Sequence, residues 1–152
     1  MSPRLNLHDS APESMQEMMS FQEFIGARTL EPKFLELVKI YVSQLNRCAY
    51  GIDRHTHRAR RLGETEERVQ LLLAWRQTPL YSERERAAFA WTESVMRPSA
   101  EVDDSDYEQV RQWFTSEELV DLTFVILATH AWNRLAIAFG QPPTLYRSAT
   151  AA

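Results

Sequence analysis

The feature that most constrains the fold is a helical spacing of apolar residues along most of the 152-residue chain. In the segment that begins at Pro32, apolar side chains recur every three to four residues, namely Phe34, Leu35, Val38, Tyr41, Val42 and Leu45. That interval places them on one face of an α-helix. The sequence has no sustained alternation of apolar and polar residues and no Asn-Gly or Asp-Gly turn, so strand signals are missing. The pattern predicts an all-α protein.

Turn and capping residues divide the chain into six or seven predicted helices. Gly63 is suited to end the third helix, because glycine tolerates the left-handed conformation found after helix C-termini. Ser82 and Glu85 have the spacing of a capping box, which predicts a helix start. The stretch Leu122–Trp132 is apolar almost all round, and such a helix is buried from several sides. The predicted helices cover about 13–25, 32–45, 48–62, 66–77, 82–97, 105–114 and 116–139.

Length and charge exclude several classes of protein. A chain of this length fits one domain, which we expect at 13–143, between a loose segment 1–12 and a tail 144–152. The net charge of −4 gives no general attraction to nucleic acid or anionic membranes. The longest apolar stretch, near 119–127, is shorter than the roughly 20 residues that cross a bilayer. The N-terminus has no apolar stretch of signal-peptide length. We therefore predict a cytoplasmic protein without nucleic-acid or membrane partners.

The only cysteine, Cys48, stands at the start of the predicted third helix. A single cysteine excludes an intramolecular disulfide. Cys48, Gly51 and His55 are spaced i, i+3 and i+7 and so form one stripe on a helix. A helix N-terminus favours a thiolate, and an imidazole nearby can hold or pass a proton. The structural alternative is a small buried cysteine and a histidine with an ordinary hydrogen bond, and the spacing alone leaves both open.

The sequence around this stripe resembles the AhpD-like alkylhydroperoxidase, or carboxymuconolactone decarboxylase, family. The family's core motif reads Cys-x-x-Cys-x-x-x-His, followed by an alanine and by a glycine at the helix end. Cys48 matches the first cysteine, His55 the histidine, Ala59 the alanine and Gly63 the glycine. Glu36 precedes Cys48 by twelve residues, where AhpD-type enzymes carry a proton-relay glutamate. The resemblance extends over about residues 20–142, through segments such as Ala74-Trp75-Arg76, Trp91-Thr92-Glu93 and Ala131-Trp132-Asn133-Arg134.

One position departs from the family pattern, because Gly51 replaces the second cysteine. The resemblance implies that AhpD-type enzymes use both thiols. One attacks the peroxide and becomes a sulfenic acid, and the other resolves it to a disulfide. The second position is usually given the attacking role, so a two-thiol cycle is not available here. Tyr50 also stands where some members carry a relay histidine. Gly51 is interpreted either as tolerated loss of the thiol or as a pocket opened for a ligand.

The resemblance implies an oligomeric bundle of six to seven helices and an antioxidant enzyme of the peroxidase or peroxiredoxin type. Thiol-dependent reduction of alkyl hydroperoxides would use Cys48 as the remaining redox thiol, His55 as its proton partner and Glu36 as a base. Its partners would be a peroxide or another small substrate, an external thiol or dithiol, and further copies of the chain, from dimer to hexamer. No cofactor is expected, and no metal, since the four histidines have no third ligand at a credible spacing.

Two other functions remain open at this stage. A carboxymuconolactone-decarboxylase-type enzyme would use His55 and Glu36 for proton transfer on a small acidic lactone and would not need Cys48. A non-catalytic homologue would only bind a small molecule or assemble. Near the motif, Arg54, Arg58 and Arg61 lie at i, i+4 and i+7. We interpret this basic stripe as a solvated helix face rather than an anion site, because three glutamates follow it at once.

Overall fold

The structure is a computed structural model that describes residues 2–98 and 101–144. Within these ranges the chain is all helical and has no strand, which confirms the predicted fold class. The elements are α1 (Leu7–Ser10), α2 (Pro12–Gly26), α3 (Pro32–Leu45), α4 (Ala49–Arg61), α5 (Glu66–Gln70), a 3₁₀ helix (Leu72–Gln77), α6 (Glu83–Met96), α7 (Asp104–Val110) and α8 (Ser116–Ala138).

The described helices outnumber the six or seven that the sequence predicted. The segment expected to be loose contains α1, which the side chain of Asn6 caps by accepting the N–H of His8 at 3.1 Å. The predicted fourth helix is two shorter ones, α5 and the 3₁₀ helix, which meet at Leu71. The tail expected at 144–152 lies outside the described residues apart from Thr144, whose N–H donates to Asp53 at 2.9 Å. The division into three segments stays a prediction.

Local signals placed several helix ends correctly. Gly63 has a positive φ of 82° and follows the C-terminus of α4 directly after Leu62. Ser82 and Glu85 form the predicted capping box of α6. At α8 the cap is Thr115, one residue before the predicted start, and it forms a capping box with Glu118. Each device satisfies backbone groups that have no partner inside the helix.

Helix α3 is the centre of the bundle and packs against α4, α6 and α8. Its Val38, Ile40 and Val42 are completely buried, so the apolar spacing of α3 serves contacts on several sides. Helix α8 buries one side, yet Val120 and Leu127 on its other side remain about half exposed. Because α3, α4 and α8 meet, polar side chains on their facing surfaces are brought together. None of the helices in the described ranges has the length and apolar character that a membrane crossing requires.

Candidate active site

A buried pair of side chains joins α3 to α4. Nδ1 of His55 lies 2.7 Å from Oε2 of Glu36, and both side chains are at most a tenth exposed. The other carboxylate oxygen of Glu36 accepts a hydrogen bond from Nζ of Lys39 at 2.9 Å. The structure thus brings together two of the three predicted site residues, Glu36 and His55, and places the side chain of Lys39 beside them. The hydrogen bond to Glu36 engages Nδ1 of His55 and leaves the other ring nitrogen, Nε2, out of this contact.

The surroundings of this pair set its charges. Burial alone raises the pKa of the Glu36 carboxyl, but the hydrogen bond from His55 and the charge of Lys39 outweigh it and hold that pKa at about 2. Burial lowers the pKa of His55 below its ordinary value of 6.5, against the opposing effect of Glu36. At neutral pH the pair is therefore a carboxylate and a neutral imidazole. Nδ1–H donates to Glu36, which leaves the lone pair of Nε2 for a ligand.

The pair opens on a cavity of about 540 Å³ between α2, α3, α4 and α8. Its walls carry three cations, Lys39, Arg54 and Arg58, and two carboxylates, Glu23 and Glu36. A volume of this size suits a small molecule. No three or more His, Cys, Asp or Glu side chains in the described part of the chain come together in a metal-binding arrangement.

Two of the three arginines of the basic stripe line this cavity, contrary to the interpretation of the stripe as a solvated face. Arg54 and Arg58 are half-buried on α4, whereas Arg61 is exposed. Arg54 donates to the hydroxyl of Tyr50 at 3.2 Å. The reason is that α8 packs against α4 while residues of α2 line the same cavity, so that part of the outward face of α4 becomes a cavity wall. The sequence of α4 alone contains no sign of that packing.

Cys48 does not line the cavity, although Gly51, which it contacts, does. It is the N-cap of α4, and its Sγ accepts the N–H of Gly51 at 3.4 Å, as expected for a cysteine at a helix start. The side chain is only 2% exposed and is absent from the cavity walls. Burial raises the pKa of the thiol, and the backbone N–H groups of Gly51 and Tyr50 do not reverse this effect. The expected activation of the thiolate by the helix N-terminus is therefore outweighed by desolvation.

Gly51, at the position of the missing cysteine, is enclosed by two polar side chains. A Cβ added there would stand 2.5 Å from Oγ of Ser43 and 3.0 Å from its Cβ, and would also meet Oδ1 of Asn133. Ser43 and Asn133 are buried and hydrogen-bonded to each other, with 3.1 Å between Asn133 Nδ2 and Ser43 Oγ. The space of the absent side chain is therefore filled on this side, and Gly51 and Asn133 together form part of the cavity wall.

Four residues of this site were not predicted from the sequence, namely Lys39, Ser43, Trp132 and Asn133. Lys39 had a local signal, since it follows Glu36 by three residues and faces it on the same helix. Ser43 and Asn133 are 90 residues apart, and only the contact between α3 and α8 brings them together. No spacing rule detects a pair of that kind in one sequence.

The bundle and its histidine–glutamate pair agree with a match to a known family. The chain belongs to the carboxymuconolactone decarboxylase family, whose model matches residues 12–94. It is 40% identical over 141 residues to the uncharacterised protein YdfG of Bacillus subtilis strain 168, an alignment that covers 92% of this chain and 96% of YdfG. The predicted family resemblance is thereby confirmed.

Two solved structures share the fold along nearly the whole chain. A protein of unknown function from Agrobacterium tumefaciens, described as a putative antioxidant defence protein AhpD, is 31% identical with a TM-score of 0.89, over 93% of this chain and 98% of that one. An uncharacterised peroxidase-related protein from Ralstonia eutropha JMP134, described as an alkylhydroperoxidase AhpD core, has a TM-score of 0.82 at 20% identity. That match covers 95% of this chain and 78% of the other. At that identity the second likeness concerns the fold alone.

Proposed function

We propose that this protein is an enzyme that transfers a proton on a small anionic substrate bound in the cavity between α2, α3, α4 and α8. His55 is the general base, and Glu36 holds and orients its imidazole. One observation carries the proposal. The His55–Glu36 pair, 2.7 Å apart, borders a cavity of about 540 Å³, and Cys48 is not among the residues that line it.

The chemistry follows from the charges of the pair. A neutral imidazole whose Nδ1–H donates to a carboxylate presents an unshared electron pair at Nε2, and that atom accepts a proton from the substrate. The carboxylate of Glu36 then stabilises the imidazolium that forms. The same imidazolium returns the proton at another atom, so the substrate gains and loses one proton without any change of oxidation state. Lys39 fixes Glu36 from its other side, at 2.9 Å.

The cations of the cavity favour an anion as substrate. Arg54 and Arg58 are one turn apart on the wall that α4 contributes, and the same wall carries His55. Guanidinium groups bind carboxylates with two parallel hydrogen bonds. A small carboxylate with an acidic C–H, as in the lactones that give the family its name, would therefore meet both charge and base in one cavity.

Deuterium incorporation from heavy water tests this proposal. Carboxymuconolactone and 4-oxopentanoate would be incubated with the protein, and exchange at carbon followed by NMR against a buffer blank. We expect exchange above the blank, reduced about 10²-fold or more by His55→Gln, strongly reduced by Glu36→Gln and unchanged by Cys48→Ser. Far-UV circular dichroism would verify that each variant is folded. Exchange that is absent, or that survives His55→Gln, would contradict the proposal.

A second candidate function is reduction of alkyl hydroperoxides by Cys48, which the cap geometry supports. Its Sγ accepts the N–H of Gly51, and Gly51 belongs to the cavity wall. The thiolate would attack the peroxide to give an alcohol and a sulfenic acid. One external thiol would then form a mixed disulfide and water, and a second would release Cys48. The burial of Cys48 and its raised pKa disfavour this cycle. Peroxide consumption with excess dithiothreitol that Cys48→Ser abolishes would establish it instead.

A further inference from the structure

A small enclosed pocket, the side pocket, adjoins the cavity next to His55. Its volume is about 20 Å³. The wall residues that it shares with the cavity are Gln22, Gly26, Lys39, His55 and Trp132. The rest of its wall comes from Ile25 on α2 and from Val125, Ala128 and Thr129 on α8. Because His55 borders both spaces, a group that enters the side pocket lies beside the same imidazole as a ligand in the cavity.

Gly26 forms the opening between the two spaces. This residue is the last of α2 and is half-buried, and a Cβ there would meet nothing within 4 Å. The volume that a side chain would occupy is therefore open, and Gly26 lines both the side pocket and the cavity. At Gly51 the corresponding volume is filled by Ser43 and Asn133. The missing side chain of Gly26 thus keeps the side pocket continuous with the cavity.

The size and the walls of the side pocket favour a methyl group over a water molecule. A volume of about 20 Å³ holds one group of about either size. A buried water needs roughly two to four polar partners, whereas the walls here are mainly apolar. The polar side chains among them are engaged elsewhere. Lys39 donates to Glu36 at 2.9 Å, and Oγ1 of Thr129 donates to the carbonyl oxygen of Val125 at 2.7 Å.

We propose that the side pocket binds a methyl group of the substrate and that Gly26 sets the largest group it admits. The inference rests on the function proposed above and specifies its substrate class, a small carboxylate that ends in a methyl ketone. The carboxylate lies against Arg54 and Arg58 in the cavity, and the methyl group lies in the side pocket. His55 borders both spaces. The C–H bonds next to the ketone, which are the acidic ones, therefore come between the two anchors and beside the base.

Isothermal titration calorimetry with three 4-oxo acids tests the inference without any turnover. 4-Oxopentanoate, 4-oxohexanoate and 4-oxoheptanoate carry the same carboxylate and a methyl, ethyl or propyl ketone. An open apolar surface would bind the longer chains more tightly, by about fourfold for each CH₂, whereas a closed pocket excludes them. We expect 4-oxoheptanoate to bind at least tenfold more weakly than 4-oxopentanoate. Affinity that rises with chain length, or a 4-oxopentanoate that does not bind, would overturn the inference.

Two substitutions change the size of the side pocket in opposite directions. Gly26→Leu fills the opening and should weaken the binding of 4-oxopentanoate at least tenfold. Ser20→Leu is the matched control, because Ser20 is exposed on the same helix and lines neither space, and it should bind as the wild type does. Val125→Ala removes two carbon atoms from the wall and should tighten the binding of 4-oxoheptanoate at least fivefold.

The gain expected for Val125→Ala cannot arise from misfolding, so it keeps the test decisive if Gly26→Leu folds poorly. Wild-type affinity for 4-oxopentanoate in a folded Gly26→Leu variant would refute the inference. An unchanged preference for the methyl ketone in Val125→Ala would refute it as well.

Failure of the proposed function gives a different result. A preference for the methyl ketone that Val125→Ala relaxes, without deuterium exchange above the blank, would reject proton transfer and leave the side pocket as a binding site. Exchange that depends on His55, together with a Kd that does not vary with the alkyl group, would reject the side pocket and leave proton transfer in place. The two hypotheses therefore have separate readouts.

Discussion

At the scale of single residues, Gly51 is the position where the absence of a side chain is most tightly required. Replacing a helical glycine by alanine ordinarily stabilises a helix by about 1 kcal/mol. Here the added Cβ would stand 2.5 Å from Oγ of Ser43, and overpacking of a core costs roughly 1–3 kcal/mol. We expect Gly51→Ala to lower the free energy of unfolding by about 1 kcal/mol, measured by urea denaturation.

Gly26→Ala is the matched control for this substitution. Gly26 ends α2, and a Cβ there would meet nothing within 4 Å. That variant should be as stable as the wild type or slightly more stable. If both variants had the same higher free energy of unfolding, Ser43 and Asn133 would move aside at little energetic cost. The packing argument for Gly51 would then be wrong. The same clash predicts that Gly51→Cys does not by itself rebuild a two-thiol site.

The Glu36–His55 pair makes stability depend on pH in a definite direction. The pKa of Glu36 falls from 4.5 to about 2 on folding, so below pH 4.5 the unfolded chain binds more protons than the folded one. The pair therefore stabilises fully above that pH and loses its contribution as pH falls toward 2. Burial also lowers the pKa of His55 from its ordinary value of 6.5. Below pH 6.5 the unfolded chain therefore binds more protons at this residue too, and the free energy of unfolding falls further as the pH is lowered.

Urea unfolding of the wild type and Glu36→Gln at pH 7, 5 and 3 measures this effect. Protonation of Glu36 should remove about 2 kcal/mol between pH 7 and pH 3. Glu36→Gln, which has no such proton to bind, should be less stable at pH 7 and lose less stability on acidification. Parallel pH curves for the two proteins would contradict the assignment of a charged Glu36.

At the scale of elements, the sequence predicts what local chemistry decides and misses what distant contacts decide. Pro32 and the Ser82 capping box mark helix starts because the residues that cap a helix are its neighbours in sequence. The break at Leu71 has no comparable signal, and the apolar spacing continues across it. At the site, the family motif gave His55 and Glu36, whereas the burial of Cys48 follows from packing around the N-terminus of α4.

The N-terminus of α8 provides a test at this scale, because this helix packs against α3 and α4, which carry Glu36 and His55. Oγ of Thr115 accepts the N–H of Glu118 at 3.2 Å, and the Glu118 carboxylate accepts the N–H of Thr115 at 2.8 Å. Thr115→Ala removes one half of this capping box and should cost about 1 kcal/mol. Ser116→Ala, one residue further on, should be neutral within about 0.5 kcal/mol. If Ser116→Ala lowered the free energy of unfolding and Thr115→Ala did not, the assignment of Thr115 as the N-cap of α8 would be wrong.

At the scale of the whole molecule, one apolar surface of α8 remains about half exposed in the part of the chain that the structure describes. Val120, Phe124 and Leu127 are spaced i, i+4 and i+7 and are 54%, 43% and 48% exposed. They border a groove of about 670 Å³ that is also lined by Trp91 and Tyr107. Contiguous apolar surfaces of this kind are uncommon on monomers and mark sites of association. This explains why α8 is apolar almost all round although only one side of it faces the core.

We therefore expect the chain to self-associate through this stripe, as the family resemblance implies, with the same surface used on both subunits of a two-fold pair. Light scattering after size exclusion should give at least a dimer for the wild type. Leu127→Glu would bury a charge at that contact, and the expected result is a monomer. Leu73→Glu is the control, because Leu73 is 61% exposed on the 3₁₀ helix, outside the stripe. A wild-type monomer, or an oligomer that survives Leu127→Glu but not Leu73→Glu, would exclude this stripe as the interface.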